Sequence, residues 1–413
     1  MTHFRIRLRR AAATAAAAGV FALPIAGVAG CGGPAVSAKP TPSASPSASP
    51  DEVRDITPGV TRQLDTVVQR IMREANIPGV TVGLWTPDGN YVRSFGLADQ
   101  SNGQAMSPDL YMRIGSVTKT FTVTALLQLV DRHKVNLDDP IGKYVEGVPN
   151  GSKITLRELA GMRSGLFNYS KDEAFYEALT NDPHQPFAPQ ELLDYAFQHP
   201  VLFPPGKKFE YSNTNLILLG LVIEKVTGQQ LDDYIKKDVL EPTGLDHTLL
   251  PVDATFPTPH AQGYTTQTAN GDVQDAADWN PSWAWAAGAM ISNLQDLRVW
   301  ARTVATGKLP GGGDLISPDL QKQRITTPPT PIPGIGYGLG IFSVQGWIGH
   351  NGSLPGYESL VVYLPSARAT LVVLLNTDID HDSQEPTTLF GEEITKIVTP
   401  GHVFNLPAEP AAR

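Results

Sequence analysis

Apolar residues recur at Val123, Leu126, Leu127 and Val130, the spacing of a helix that buries one stripe. The pattern predicts a helix ending near Arg132, with Gly115 as the break ahead of it and Ser116 at its start. The same period in Leu64, Val67, Val68, Ile71 and Met72 predicts a helix over Thr61–Asn76, stopped before Pro78. Two short apolar runs follow, Val80–Trp85 and Tyr91–Leu97, and Asp88-Gly89 between them is a hairpin signal. From about Pro140 to Asp278 the pattern turns helical and loop-rich. Helices are predicted over Leu156–Met162, Asp172–Leu179, Pro189–Gln198, Asn213–Val226 and Leu231–Val239, with Gly and Pro at the joints. Another amphipathic helix, Asn293–Thr306, precedes strand-like runs at Gly338–Val344, Trp347–Asn351, Leu360–Leu364 and Thr370–Leu375; a last helix spans Gln384–Val398.

This order specifies an α+β fold. Strands from both ends build one antiparallel sheet flanked by terminal helices, and an all-helical lobe is inserted between them. The folded domain is placed at residues 55–400, with an α/β lobe at about 55–135 and 290–400 and a helical lobe at about 136–289. A crevice between such lobes is a natural place for a site.

Composition changes the picture at the N-terminus. The chain has 413 residues and a formal charge of −9, and its first thirty residues hold four arginines and no acid, so the remainder is more acidic still. That balance gives no electrostatic case for nucleic acid, and no basic helix points to a membrane surface. Four arginines, an apolar run from Ala11 to Ala29 and small residues after it read as a signal peptide over 1–30. Val28-Ala29-Gly30-Cys31 is similar to the bacterial lipobox, and Cys31 is the chain's only cysteine, which lipidation explains and an internal disulfide cannot. Residues 31–54, rich in Pro, Ser and Ala, form a tether. The expected location is the outer face of the cytoplasmic membrane.

Ser116 and Lys119 lie one turn apart on one helix face. A serine there sits in the positive field of the helix start, and the lysine can take or relay its proton. In a chain this long the pattern arises about once by chance, and a capping serine with a solvated lysine accounts for it equally. Two further patterns occur once each: Tyr211-Ser212-Asn213 at a helix start and His350-Asn351-Gly352 at a strand end. Singly, these too read as a core aromatic with an N-cap and as a structural histidine. No His, Cys, Asp and Glu grouping has metal-ligand spacing, and no cofactor motif is present.

Taken together, in this order and with the flanks FPPGKKFEYSNTNLILLG (Phe203–Gly220) and GHNGSLPGY (Gly349–Tyr357), the three patterns resemble those of the serine β-lactamase and penicillin-binding protein superfamily. The nearest branch comprises class C β-lactamases, D-alanyl-D-alanine carboxypeptidases and family VIII esterases, and the resemblance covers roughly residues 60–398. It implies Ser116 as nucleophile, Lys119 as its activating partner and Tyr211 as base and later acid. Asn213 would hold Lys119 and a substrate carbonyl, while the N–H groups of Ser116 and Ser353 would form an oxyanion hole on the strand carrying His350 and Gly352. Which of Lys119 and Tyr211 takes the proton stays open. Trp283 and Trp285 resemble a segment bordering the cleft and are expected either to line an apolar pocket or to pack the core.

The resemblance leads to a D-Ala-D-Ala carboxypeptidase-like or β-lactamase-related enzyme acting on a peptidoglycan stem peptide or a β-lactam. The alternatives are an esterase or amidase on small or lipidic acyl substrates and a non-catalytic wall-binding lipoprotein. Residues 325–349 contain no Lys or Arg, so a terminal carboxylate would have to be held by His350, Arg298 or Arg302. Gly338 and Gly340 read as strand glycines that permit close packing.

Overall fold

The apolar runs at the two ends of the chain pair with each other. In the computed structural model, which describes residues 53–382 and 384–406, Gly79–Thr86 lies antiparallel to Ala369–Leu375, with Val80 opposite Leu375. The expected leader, Cys31 and the tether as far as residue 52 lie outside the described residues. Across the eight-stranded sheet the order is Gln104–Ala105, Gly89–Asp99, Gly79–Thr86, Ala369–Leu375, Tyr357–Leu364, Trp347–Leu354, Phe342–Val344 and Ile335–Tyr337. Every residue of Tyr357–Leu364 and Ala369–Leu375 is buried, because helices cover both faces of the central strands.

Strand alternation assigns the two faces. Leu360 points toward Gly391 of the Pro386–Val398 helix, which packs beside Pro58–Glu74. Its neighbour Ser359 points the other way and donates to Ile114 O, next to the Ser116 turn. On that second face lies Leu294–Thr306, whose Trp300 stacks on Phe121 of the Thr118–Asp131 helix at 3.9 Å and donates from Nε1 to Thr120 Oγ1 at 2.7 Å. One indole thus joins sheet, helix layer and nucleophile helix.

The inserted segment carries Leu156–Ala160, Glu173–Asn181, Pro189–Phe197, Asn213–Thr227 and Leu231–Ile235. Asn213–Thr227 is its central element. Thr214 to Gly220 are all buried, because this helix packs against the Thr118–Asp131 helix and four shorter ones. The segment is not purely helical: Tyr264–Thr265 pairs with Gln274–Asp275, and Tyr264 bridges to Thr377 just past the end of the central strand Ala369–Leu375.

Other boundaries also move. Gly338 and Gly340 sit in the turn between Ile335–Tyr337 and Phe342–Val344, not inside a strand. A Cβ at Gly338 would collide with Arg324 O, so the expected close packing is the reason for the glycine. The helix Pro318–Ile325 has no counterpart in the apolar pattern, since its buried face is Leu320, Gln321 and Arg324. Among the described residues, no helix is long and apolar enough to cross a membrane.

Trp300 provides a test of this layering. Replacing it with Ala should cost about 3–5 kcal/mol of unfolding free energy, read from the denaturant midpoint. A loss below about 1 kcal/mol would mean that the stack on Phe121 does not tie the layers together.

Candidate active site

Ser116 lies in a single 3-10 turn, Gly115–Val117, that leads into the α-helix at Thr118. The nucleophile candidate therefore precedes the α-helix proper. The turn is pressed against the strand Trp347–Leu354, and two glycines make the approach possible. Gly115 has φ +51°, and a Cβ there would stand 2.7 Å from Ser353 N. A Cβ on Gly352 would run into Ile114 O and come within 2.8 Å of Ser116 N. Any side chain at either position would push the backbone nitrogens of Ser116 and Ser353 apart. Two backbone N–H groups brought near one another in this way would suit a developing oxyanion.

Lys119 is fully buried. Its Nζ is 2.9 Å from Ser116 Oγ and donates to Ala287 O at 2.8 Å. Burial holds its pKa well below the usual lysine value, favouring the neutral amine, which can accept the Ser116 proton across the same contact. Lys119 Nζ also lies 4.9 Å from the Tyr211 ring centroid, over the ring. Asn213 does not hold Lys119, contrary to the expectation. Its Nδ2 donates to Ser170 Oγ at 3.1 Å and its Oδ1 is buried without a partner, because the carbonyl of Ala287 already occupies the place beside the amine.

His350 is buried, and its pKa is pushed down to about 3 by burial first and by Lys119 second. Because Lys119 itself favours neutrality, burial is the cause that stands. Nδ1 lies 2.5 Å from Asn351 O; a carbonyl only accepts, so Nδ1 carries the hydrogen. Nε2 then offers a lone pair, and Tyr337 Oη donates to it at 3.1 Å. A neutral His350 cannot supply the cation for a terminal carboxylate. Arg298 cannot either, since it lies 4.9 Å over Trp85 on the sheet, and neither it nor the exposed Arg302 lines the cavity.

Ser116, Tyr211, Asn213, His350, Gly352 and Ser353 all line one cavity of about 650 Å³. Helix starts bring the first three there, and the strand brings the others. Trp283 and Trp285 do not line it. The Trp285 ring fills the space over Gly220, and Trp283 packs toward Phe175 while its carbonyl accepts from Tyr169 Oη at 2.6 Å, so both serve the helical core. Sequence reasoning missed Asn168, Ser170, Tyr337, Asp380 and Glu385, which also line the cavity. Tyr337 carried a signal, since it precedes the Gly338-Leu339-Gly340 turn; the acids lie beyond the last strand and carried none.

The arrangement is that of a buried amine poised on a serine beside two backbone donors. Comparison with known proteins agrees with it. The family model described as Beta-lactamase matches residues 64–394. Protein flp of Staphylococcus aureus (strain MRSA252) is 26% identical over 337 residues, 78% of this chain and 64% of its own length. The chain thus spans less than two thirds of that relative. A D-stereospecific amidohydrolase from Streptomyces sp. superposes with a TM-score of 0.70 at 29% identity, over 77% of this chain and 94% of that one. The D-amino acid amidase from Ochrobactrum anthropi SV3, complexed with L-phenylalanine amide, gives 0.70 at 26% identity, over 82% and 96%. With its family model spanning both ends of the sheet and everything inserted between them, the chain belongs to the beta-lactamase family of serine hydrolases.

Proposed function

We propose that the protein is an exported, lipid-anchored hydrolase that cleaves amide or ester bonds through an acyl-enzyme on Ser116. The observation that carries this reading is the 2.9 Å contact between Ser116 Oγ and a fully buried Lys119 amine. Lys119 Nζ takes the hydroxyl proton as Oγ bonds to the substrate carbonyl carbon. The carbonyl oxygen becomes an oxyanion between the N–H groups of Ser116 and Ser353. The proton then passes to the leaving nitrogen or oxygen, with Tyr211 next to Lys119 as the relay, and the bond to that atom breaks. Water attacks the acyl-enzyme by the same path in reverse and frees the acid.

Amide cleavage is favoured over terminal-carboxylate chemistry. His350 is held neutral, and Lys171, the one lysine or arginine on the cavity lining, is paired with Glu210 at 3.1 Å. The amidases among the structural neighbours support the same choice. A carboxypeptidase acting on D-Ala-D-Ala ends remains the second reading, supported by the family match. Release of D-alanine from a pentapeptide at a rate exceeding amide turnover would favour it.

Three outcomes are expected. An alkyl fluorophosphonate should add one mass equivalent to the full-length protein and none to Ser116→Ala, and p-nitrophenyl butyrate turnover should vanish with Ser116. Turnover by Ser116→Ala within about tenfold of wild type would remove Ser116 as nucleophile. Second, kcat/KM for the ester should fall toward acid pH as Lys119 gains a proton, with a midpoint well below the ordinary lysine value. A rise of approximately tenfold per pH unit continuing up to 10.5 would mean that burial does not depress the Lys119 pKa. Third, Cys31→Ser should move the protein from the membrane fraction to the soluble exported fraction; retention on the membrane would rule out the lipid anchor.

A further inference from the structure

The lining of the cavity has an uneven polarity. Several of its side-chain donors are turned onto the protein's own acceptors. Tyr337 donates to His350, and Asn351 Nδ2 donates to Glu385 at 2.6 Å. Thr330 Oγ1 donates to the carbonyls of Ile332 and Ile335 at 3.3 and 3.2 Å, Ser170 Oγ to Asn168 Oδ1 at 3.1 Å, and Lys171 to Glu210. What these groups leave for a ligand is acceptors. The Tyr337 oxygen has committed its hydrogen, Asn213 Oδ1 is buried with no partner, and Asp380 and Glu385 bring two carboxyl groups to the same lining.

Strand alternation places Glu385 relative to the nucleophile. His350 and Gly352 lie on the face of Trp347–Leu354 that meets the Ser116 turn; Asn351 points to the other face, toward the start of the Pro386–Val398 helix. Glu385 is the N-cap residue of that helix. The bond from Asn351 ties it to the strand that carries the oxyanion nitrogen.

We infer that Asp380 and Glu385 read a cationic amine on the substrate, so that the preferred substrates are amides or esters bearing a free ammonium group and not a carboxylate. This rests on the hydrolase reading above and names its substrate class. An ammonium brings three N–H donors and a positive charge to a wall of acceptors, and its hydrogen bonds to carboxylates are charge-assisted. A substrate carboxylate placed there meets two acids and no unpaired lysine or arginine.

The test is steady-state hydrolysis by the full-length protein of amino-acid p-nitroanilides in both enantiomers, each with its amine free, N-acetylated or N-succinylated. Wild type should favour the free amine over the acetylated form by about tenfold or more in kcat/KM, as the loss of one charge-assisted hydrogen bond requires, and should disfavour the succinylated form further. That free-to-acetylated ratio should fall toward one in Asp380→Asn. Glu385→Gln reports the same ratio at the second acid, and circular dichroism controls for folding. Equal or better turnover of the succinylated compounds, or an unchanged ratio in both variants, would overturn the inference. p-Nitrophenyl butyrate separates the two levels: if wild type cleaves this neutral ester but shows no amine preference, the inference fails and the hydrolase reading stands. If nothing is cleaved, the hydrolase reading fails. Calorimetric titration of phenylalanine amide against N-succinyl phenylalanine amide then decides the inference by binding, with tighter binding of the free amine supporting it and the reverse order overturning it.

Discussion

A lysine amine with no access to water can keep its proton only beside a counter-charge, and Lys119 has none. Its partners are a hydroxyl oxygen and the carbonyl of Ala287, so burial holds its pKa well below the ordinary lysine value and favours the neutral amine. The surrounding architecture maintains that condition. The Asn213–Thr227 helix and the Ala287 segment pack over the nucleophile helix and keep it dry. The Trp300 stack holds the same helix to the sheet layer. Gly115 and Gly352 then let the strand approach the Ser116 turn closely. Admitting water to Lys119 would favour its protonated form again and remove the base proposed for Ser116, even though every residue of the motif remained.

The terminal strands and the helices over Thr118–Asp131 and Asn213–Thr227 were legible because their apolar positions repeat with the period of the element, and the hairpin at Asp88-Gly89 because its turn residues mark it. Pro318–Ile325 was illegible for the converse reason: it buries Gln321 and Arg324, which periodicity scores as solvent-facing. The motif residues Ser116, Tyr211 and His350 could be named from the sequence, but their relations could not. Whether Asn213 or a backbone carbonyl accompanies Lys119 depends on where the 285–288 turn lands, and nothing in the residue types records that. The tryptophans illustrate the same gap. Aromatic side chains near a cleft suit either a pocket or a core, and it was the missing side chain of Gly220 that drew Trp285 into the core.

The histidine shows how burial reverses an inference made from residue type alone. As a sequence letter, His350 is a candidate cation near a substrate carboxylate. In the fold its Nδ1 hydrogen is taken by Asn351 O, its Nε2 lone pair is filled by Tyr337, and burial removes the charged form near neutral pH. It can neither carry a charge for the substrate nor exchange a proton with it. Its effect is on Tyr337, which it compels to show the cavity an oxygen without a hydrogen. The pleat carries the constraint one residue further, since Asn351, pointing to the opposite face, spends its amide hydrogen on Glu385. Two consecutive positions of the strand that carries Ser353 therefore fix where the Tyr337 and Asn351 hydrogens go. A substitution at His350 that kept the strand but released the Tyr337 hydrogen would change which substrates bind before it changed how they are cleaved.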